Sequence, residues 1–428
     1  MRVDYVKVYI ETYGCWLNRA DSEVVRFLLK SSGHEVAESL EEADAVVVNT
    51  CAVRAETERK IAKRLRELEA WCLQKPSRRL VVAGCLARSR PAFTAFNAPS
   101  ASILGPNALH RLCEALESRV VDVGPDRRLF LKLPDYDGSK RFIVPISVGC
   151  LGSCSYCIMP ISRGRLTSYP PRQLVELFHR AVAGGAREIY LVAQDLSAYG
   201  VDIGLRLPHL LREMLKAQGD YFVRLGMMEP STLLPIAEDM ADIYREPNVY
   251  KYLHLPLQSG SNRVLEVMRR RYRVEEFVKL VDFIRNSVDD LFFATDVIVG
   301  FPTESEEDFE ETLKVIERLK PDKVHVARYT MRPFTPAASL PQLSDGVKKR
   351  RSRVLSELVE EITLRRNLAY VGREVKVFLT DRAPRGGLAG RMASYRPVVV
   401  RCDRDLLWSF VDVVIEEARP HVLVGRLA

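Results

Sequence analysis

From residue 5 to residue 118 the chain alternates short aliphatic runs with longer stretches whose apolar positions recur every three or four residues. Val6–Ile10 reads as a strand, and Ala20–Lys30 as an amphipathic helix closed by Gly33. Ala45–Val48 reads as a second, buried strand, followed by a charged helix from about Ala55 to Trp71. Leu80–Ala83 gives a third strand, and Ser102–Leu104 a short fourth ahead of a helix near Asn107–Ser118. Aliphatic runs without polar alternation belong to strands covered on both faces, so residues 1–118 are expected to form a parallel α/β sheet domain.

Residues 119–140 read as a polar linker, because Gly124, Pro125, Pro134 and Gly138 break both periodicities. A second series of strands follows at Ile143–Val148, Glu188–Val192, Phe222–Gly226, Tyr250–Leu255, Phe292–Val297 and Val324–Arg328. Helices such as Pro171–Ala183 and Glu306–Leu319 fill the intervals. Six strand–helix units predict a partial (β/α)6 barrel over 141–366. The segment Lys348–Tyr370 reads as a charged connecting helix. Over 367–428 the pattern changes to short β-rich runs (Val375–Leu379, Pro397–Arg401, Phe410–Ile415, Val422–Val424) around Gly386, Gly387 and Gly390. These predict a small all-β module, a five-stranded barrel.

Composition narrows the setting. The 428 residues exceed what one ordinary core holds, in keeping with several domains. No apolar run approaches the roughly 20 residues that cross a bilayer. The opening Met1–Tyr5 lacks the charged-then-apolar layout of a secretory signal, so a cytoplasmic setting with reduced thiols is expected. A net charge of +8 favours an acidic partner, nucleic acid first among them. Ten Lys/Arg against seven Asp/Glu between Arg373 and Leu427 make the last module mildly basic, so it shares in that preference.

Nine cysteines in a reducing setting point to ligands rather than disulfides. Cys15 follows the first strand, Cys51 the second and Cys85 the third. The carboxyl ends of parallel strands share one sheet edge, where ligands of open α/β sheets bind. Three thiols distant in sequence are therefore expected to meet at a metal cluster. The competing reading is chance placement of small buried cysteines. A second set lies within one loop, Gly149-Cys150-Leu151-Gly152-Ser153-Cys154-Ser155-Tyr156-Cys157. Three thiolates there suit three irons of a [4Fe–4S] cube and leave the fourth iron open to a small chelating molecule. Zinc would call for a fourth Cys or His, and the loop has none. Cys72, Cys113 and Cys402 fall in helical or strand-end positions and read as packing residues.

Cys150-x3-Cys154-x2-Cys157 resembles the signature of radical SAM enzymes, in which S-adenosylmethionine (SAM) chelates the unique iron. Thr12-Tyr13-Gly14-Cys15, Asn49-Thr50-Cys51 and Ala83-Gly84-Cys85 resemble the N-terminal motifs of the methylthiotransferase family. Leu255–Ser261 (LPLQSGS) and Thr295–Pro302 (TDVIVGFP) resemble its later barrel strands, and the C-terminal module is similar to an RNA-binding TRAM domain. Cys15–Glu23, Arg163-Gly164-Arg165 before Ser168-Tyr169-Pro170, and Gln194-Asp195 before Ala198-Tyr199-Gly200 are closest to the archaeal and eukaryotic branch acting on tRNA. Trp16 stands where that branch more often has a smaller residue.

The resemblance implies a transferase that adds a methylthio group to C2 of N6-threonylcarbamoyladenosine at tRNA position 37. It implies two [4Fe–4S] clusters, one on Cys15, Cys51 and Cys85 and one on Cys150, Cys154 and Cys157. The latter would cleave SAM to a radical that takes hydrogen from C2, the former would deliver sulfur, and a second SAM would donate the methyl group. SAM contacts are expected from strand ends, at Gln194, Asp195, Glu229, Gln258, Ser259 and Asp296, although such residues can also be helix caps. Arg163 and Arg165 are expected to meet the SAM carboxylate or an RNA phosphate. His254 reads as a structural histidine, and Met227-Met228 as adaptable cavity lining. Arg385, Arg391, Arg396, Arg401 and Arg404 are candidate phosphate contacts. Expected partners are tRNA, an electron donor and a sulfur source, with no membrane and a monomeric chain. Rival readings are the same chemistry on isopentenyladenosine or a ribosomal protein, and a non-catalytic zinc and RNA-binding protein.

Overall fold

The computed structural model describes residues 5–124 and 132–428. Met1–Asp4 and the part of the expected linker from Pro125 to residue 131 lie outside them. The first domain is a six-stranded parallel sheet in the order β2-β1-β3-β4-β5-β6. Its strands are β1 (Lys7–Thr12), β2 (Glu35–Val36), β3 (Ala45–Thr50), β4 (Arg79–Gly84), β5 (Ser102–Leu104) and β6 (Val121–Asp122). β3 is buried at every position. Val46 and Val48 pack with Ile61 and Leu65 of helix Ala55–Leu73, while Ala45 and Val47 pack with Val25 and Leu29 of helix Trp16–Ser31. Both faces are thus apolar, which is why the run carries no alternation. Each such valine contributes about 1.5–3 kcal/mol of burial. β2 and β6 are two-residue edge strands without sequence periodicity, and β6 draws residues 121–122 out of the expected linker.

The central domain carries two three-stranded parallel sheets, β7 (Arg141–Pro145) beside β10 (Glu188–Val192) and β11 (Phe222–Leu225), and β12 (Tyr252–His254) beside β13 (Phe292–Val299) and β14 (Lys323–Arg328). A single bridge, Val223 to Val249, links the two halves of this open barrel. The expected strand 143–148 divides at Pro145. Beyond it β8 (Ser147–Val148) pairs antiparallel with β9 (Thr167–Ser168) and presents the cysteine loop. Pro145 lacks the N–H a continuing ladder needs.

Helix Asp345–Leu368, capped by Ser344, leads to a closed five-stranded barrel. Its strands are β15 (Glu374–Arg382), β16 (Leu388–Arg391), β17 (Pro397–Arg401), β18 (Phe410–Arg419) and β19 (Val422–Leu427). This barrel docks on the foot of the central one. Arg396 and Arg366 both pair with buried Asp322, and the Tyr395 hydroxyl meets that of Tyr190 at 2.9 Å. No helix among the described residues is long and apolar enough to cross a membrane.

Candidate active site

Cys15, Cys51 and Cys85 each follow a strand of the first sheet, and β1, β3 and β4 are neighbours, so the three thiols share one edge. Asn18, one turn into the first helix, ties them together. Its side-chain oxygen lies 3.8 Å from the sulfurs of both Cys15 and Cys85, while its Nδ2 donates to the carbonyls of Tyr13 and Thr50. A cation completes the group. Arg163 Nε donates to Cys85 Sγ at 3.1 Å, and its Nη2 donates to Asn18 Oδ1 (2.8 Å) and pairs with Asp21 (2.5 Å). Burial pushes the Cys85 thiol up to about 12, with Arg163 working against it, and raises Cys51 as well.

The second set also converges. A side chain at Gly152 would place its Cβ 3.3 Å from Cys150 Sγ and 3.6 Å from Cys154 Sγ, so only glycine leaves the space between these thiols open. Each sulfur receives one N–H donor: Gly152 N to Cys150 (3.1 Å), Arg270 Nη1 to Cys154 (3.2 Å) and Met159 N to Cys157 (3.4 Å). Burial holds Cys150 at about 11 and Cys157 at about 12. Donors aimed at sulfur, a cation beside each set and clear space between thiols are what a thiolate-held anionic cluster needs. Both sets fit one. Among the described residues neither has a fourth thiol. Cys72 packs in a core, Cys113 donates to Ser32, and Cys402 packs against the C-terminal barrel.

The two sets adjoin. Helix Met159–Arg163 begins two residues after Cys157 and ends at the guanidinium that touches Cys85, about 8 Å of helix rise in all. Trp16, beside Cys15, packs edge-on to Tyr190 of β10 at 4.7 Å and fastens the sheet edge to the barrel.

The expected SAM residues divide. Gln194 and Gln258 keep buried side-chain oxygens without a partner, and Gln258 holds a left-handed backbone (φ 67°). Such orphaned acceptors suit an incoming polar ligand. Asp195 is consumed internally, accepting from Ser197, Thr232 and Glu229 N; burial lifts its carboxyl to about 6 against those bonds. Glu229 caps helix Pro230–Leu233 and pairs with Arg270 at 3.1 Å. Ser259 is fully buried against Thr312. Asp296 accepts from His254 at 2.9 Å. Arg165 is exposed. Arg163, expected at SAM or a phosphate, is instead 2% exposed and spent on the N-terminal thiols. Met228 is core rather than cavity lining. Sequence reasoning missed Asn18, Asp21 and Arg270. Arg270 sits in the run Arg269-Arg270-Arg271, and nothing local marks which of the three is buried.

Three family models match in chain order: "Uncharacterized protein family UPF0004" over residues 7–105, the radical SAM superfamily over 144–316 and the TRAM domain over 368–428. The chain is 40% identical to a probable threonylcarbamoyladenosine tRNA methylthiotransferase of Pyrococcus horikoshii, over 99% of both chains. It is 34% identical to a tRNA-2-methylthio-N(6)-dimethylallyladenosine synthase of Aquifex aeolicus, over 98% of both. Among solved structures, the radical S-adenosylmethionine methyltransferase TsrM of Kitasatospora setae shares the fold, with a TM-score of 0.57 and 17% identity over 77% of this chain and 74% of that one.

Proposed function

The chain belongs to the radical SAM tRNA methylthiotransferases, and on that premise we propose that it attaches a methylthio group to C2 of N6-threonylcarbamoyladenosine beside the tRNA anticodon. The observation that carries the reading is the meeting of two three-thiol sets across helix Met159–Arg163. Cys150, Cys154 and Cys157 would hold one [4Fe–4S] cluster, and Cys15, Cys51 and Cys85 a second. When bound, such centres supply an electron for SAM cleavage at the first site and sulfur for C–S bond formation at the second.

What the chain's own residues contribute follows from their positions. Gln194 and Gln258 offer acceptors to the polar groups of SAM at the carboxyl ends of β10 and β12. Arg270, braced by Glu229, offsets the charge of a Cys154 thiolate, and Arg163, braced by Asp21, does so for Cys85. Asp195 ties the ends of β10 and β11 together through Glu229 N and so fixes the pocket wall. A C2–H bond has no acidic proton to remove, so these residues serve to bind, orient and exclude water rather than act as acid or base.

Nine unpaired cysteines suit a reducing compartment, and a cytoplasmic monomer served by a separate electron donor and sulfur source goes with this reading. Nucleoside analysis of tRNA from a strain lacking the gene tests it. Loss of methylthio-threonylcarbamoyladenosine is expected; an unchanged level, or loss of the isopentenyl analogue instead, would overturn it. A colourless zinc protein without sulfide after anaerobic purification would remove the enzyme reading altogether.

A further inference from the structure

The lumen of the central barrel is layered, because inward positions recur every second residue along each strand. One layer is aromatic: Tyr190, Tyr252 and Tyr395 enclose the guanidinium of Arg224 at 4.8–5.4 Å. The next layer toward the cysteine loop is polar. His254 lies two residues beyond Tyr252, Asp296 two beyond inward-facing Ala294, and His325 is the register partner of Asp296. Their ligating atoms lie within 4.8 Å of one another, and the side chains of His254 and Asp296 are 14% and 29% exposed, so the group faces open space. The catalytic neighbours are close on both sides. Gln258 N donates to Asp296 O at 2.8 Å. Arg54, three residues after Cys51, is near enough that its charge acts on Asp296 and His325.

This group solves a problem that the proposed reaction sets, and the inference rests on that functional reading. The reacting C2 must face the thiol sets, so the substituent on N6 of the same ring extends beyond them. An isopentenyl group there calls for an apolar wall. A threonylcarbamoyl group carries a carboxylate, a hydroxyl and a urea, and calls for donors and an acceptor. We propose that His254, Asp296, His325 and Arg54 form the subsite for that polar substituent. Arg54 and an imidazole N–H take the carboxylate, and Asp296 accepts from the hydroxyl or a urea N–H. Burial, with smaller contributions from His254, Lys323 and Arg54, holds His325 down to about 4 against Asp296, so its ring is neutral at physiological pH and offers one donor and one acceptor. An isopentenyl group would offer these partly buried groups no hydrogen-bond partner, and a site built to bind a polar substituent rejects the analogue that lacks it, so discrimination of about tenfold or more is expected.

The test uses the full chain with both clusters reconstituted anaerobically, and anticodon stem-loops bearing adenosine, threonylcarbamoyladenosine or isopentenyladenosine at position 37. Binding is read by fluorescence anisotropy. The native protein should favour the threonylcarbamoyl loop over the isopentenyl loop by about tenfold or more. His325→Leu, Asp296→Asn and Arg54→Gln should each collapse that ratio toward one. A ratio that survives all three variants overturns the proposal, as does a parallel loss of affinity for all three loops. Zinc bound one per chain in the native protein and lost in His325→Leu would make the trio a metal site and overturn it as well. Product analysis on the same loops separates the two layers. If the native enzyme methylthiolates another loop but not the threonylcarbamoyl one, the functional reading itself falls.

Discussion

At the residue scale the decisive contacts are two buried guanidiniums. A buried cation must be paired or it costs several kcal/mol, and removing one partner of such a pair typically costs about 3–5 kcal/mol. Arg163→Met would leave Asp21 unpaired and strip Cys85 of its donor. The expected result is a lower melting temperature and loss of the N-terminal cluster, with iron falling from about eight to about four per chain. Arg270→Met should instead spare the N-terminal cluster and weaken the one on Cys154. The thiols make a second prediction. Burial lifts Cys85 and Cys157 to about 12 and Cys150 to about 11, so all three are protonated at neutral pH before metal binds. Each must lose its proton to become a ligand. Iron uptake should therefore release protons and strengthen as pH rises from 7 to 8.5, which a titration in weak buffer with a pH indicator would detect. The six cysteines are legible in the sequence because strand ends and loop spacing mark them. Arg163 is not, because its partners Cys85 and Asp21 lie 78 and 142 residues away along the chain, and only the fold brings them near.

At the element scale, strands covered on both faces announce themselves and short ones do not. Pro171–Ala183, Glu188–Val192 and Glu306–Leu319 have the bounds their patterns predict, since each carries a full period or a complete aliphatic run. β2 and β6 are too short to show a period, and β16 (LAGR) lies beside Gly386 and Gly387 and contains Gly390, with no β-branched run to mark it. The sharpest element-level demand falls at the end of β4. Gly84 has φ 97°, and a Cβ there would meet Asn49 Oδ1 at 2.4 Å and the Thr50 backbone at 2.7 Å. Gly84→Ala would combine left-handed strain with a collision against β3, at a cost of about 1–3 kcal/mol. Because Cys85 is the next residue, the backbone shift that relieves the clash moves a ligand. Iron content should fall toward about four per chain while the far-UV circular dichroism spectrum stays native, a pairing that separates misplacement of Cys85 from unfolding.

At the scale of the whole molecule, the C-terminal barrel divides its arginines between docking and display. Arg396 is 2% exposed and shares the buried Asp322 with Arg366, so it is a fastening to the central barrel and not the phosphate contact its sequence suggests. Arg401 is exposed but pairs with Glu416 and Glu417, and Arg391 lies over the Tyr395 ring at 4.5 Å. Arg385 and Arg404 are exposed, on the connections that follow β15 and β17. Paired substitutions should therefore behave oppositely. Arg396→Ala leaves Asp322 with one cation instead of two and should cost about 3 kcal/mol, read as earlier melting and protease sensitivity near residue 370. Arg385→Glu with Arg404→Glu should leave melting within about 0.5 kcal/mol of native, as surface changes do. The same double variant should weaken tRNA binding and flatten its salt dependence, lowering the log–log slope by about 1–2. Native tRNA affinity and slope in that variant would mean that RNA is held elsewhere, leaving the C-terminal barrel as the plug that Tyr395 and Arg396 make of it at the foot of the lumen.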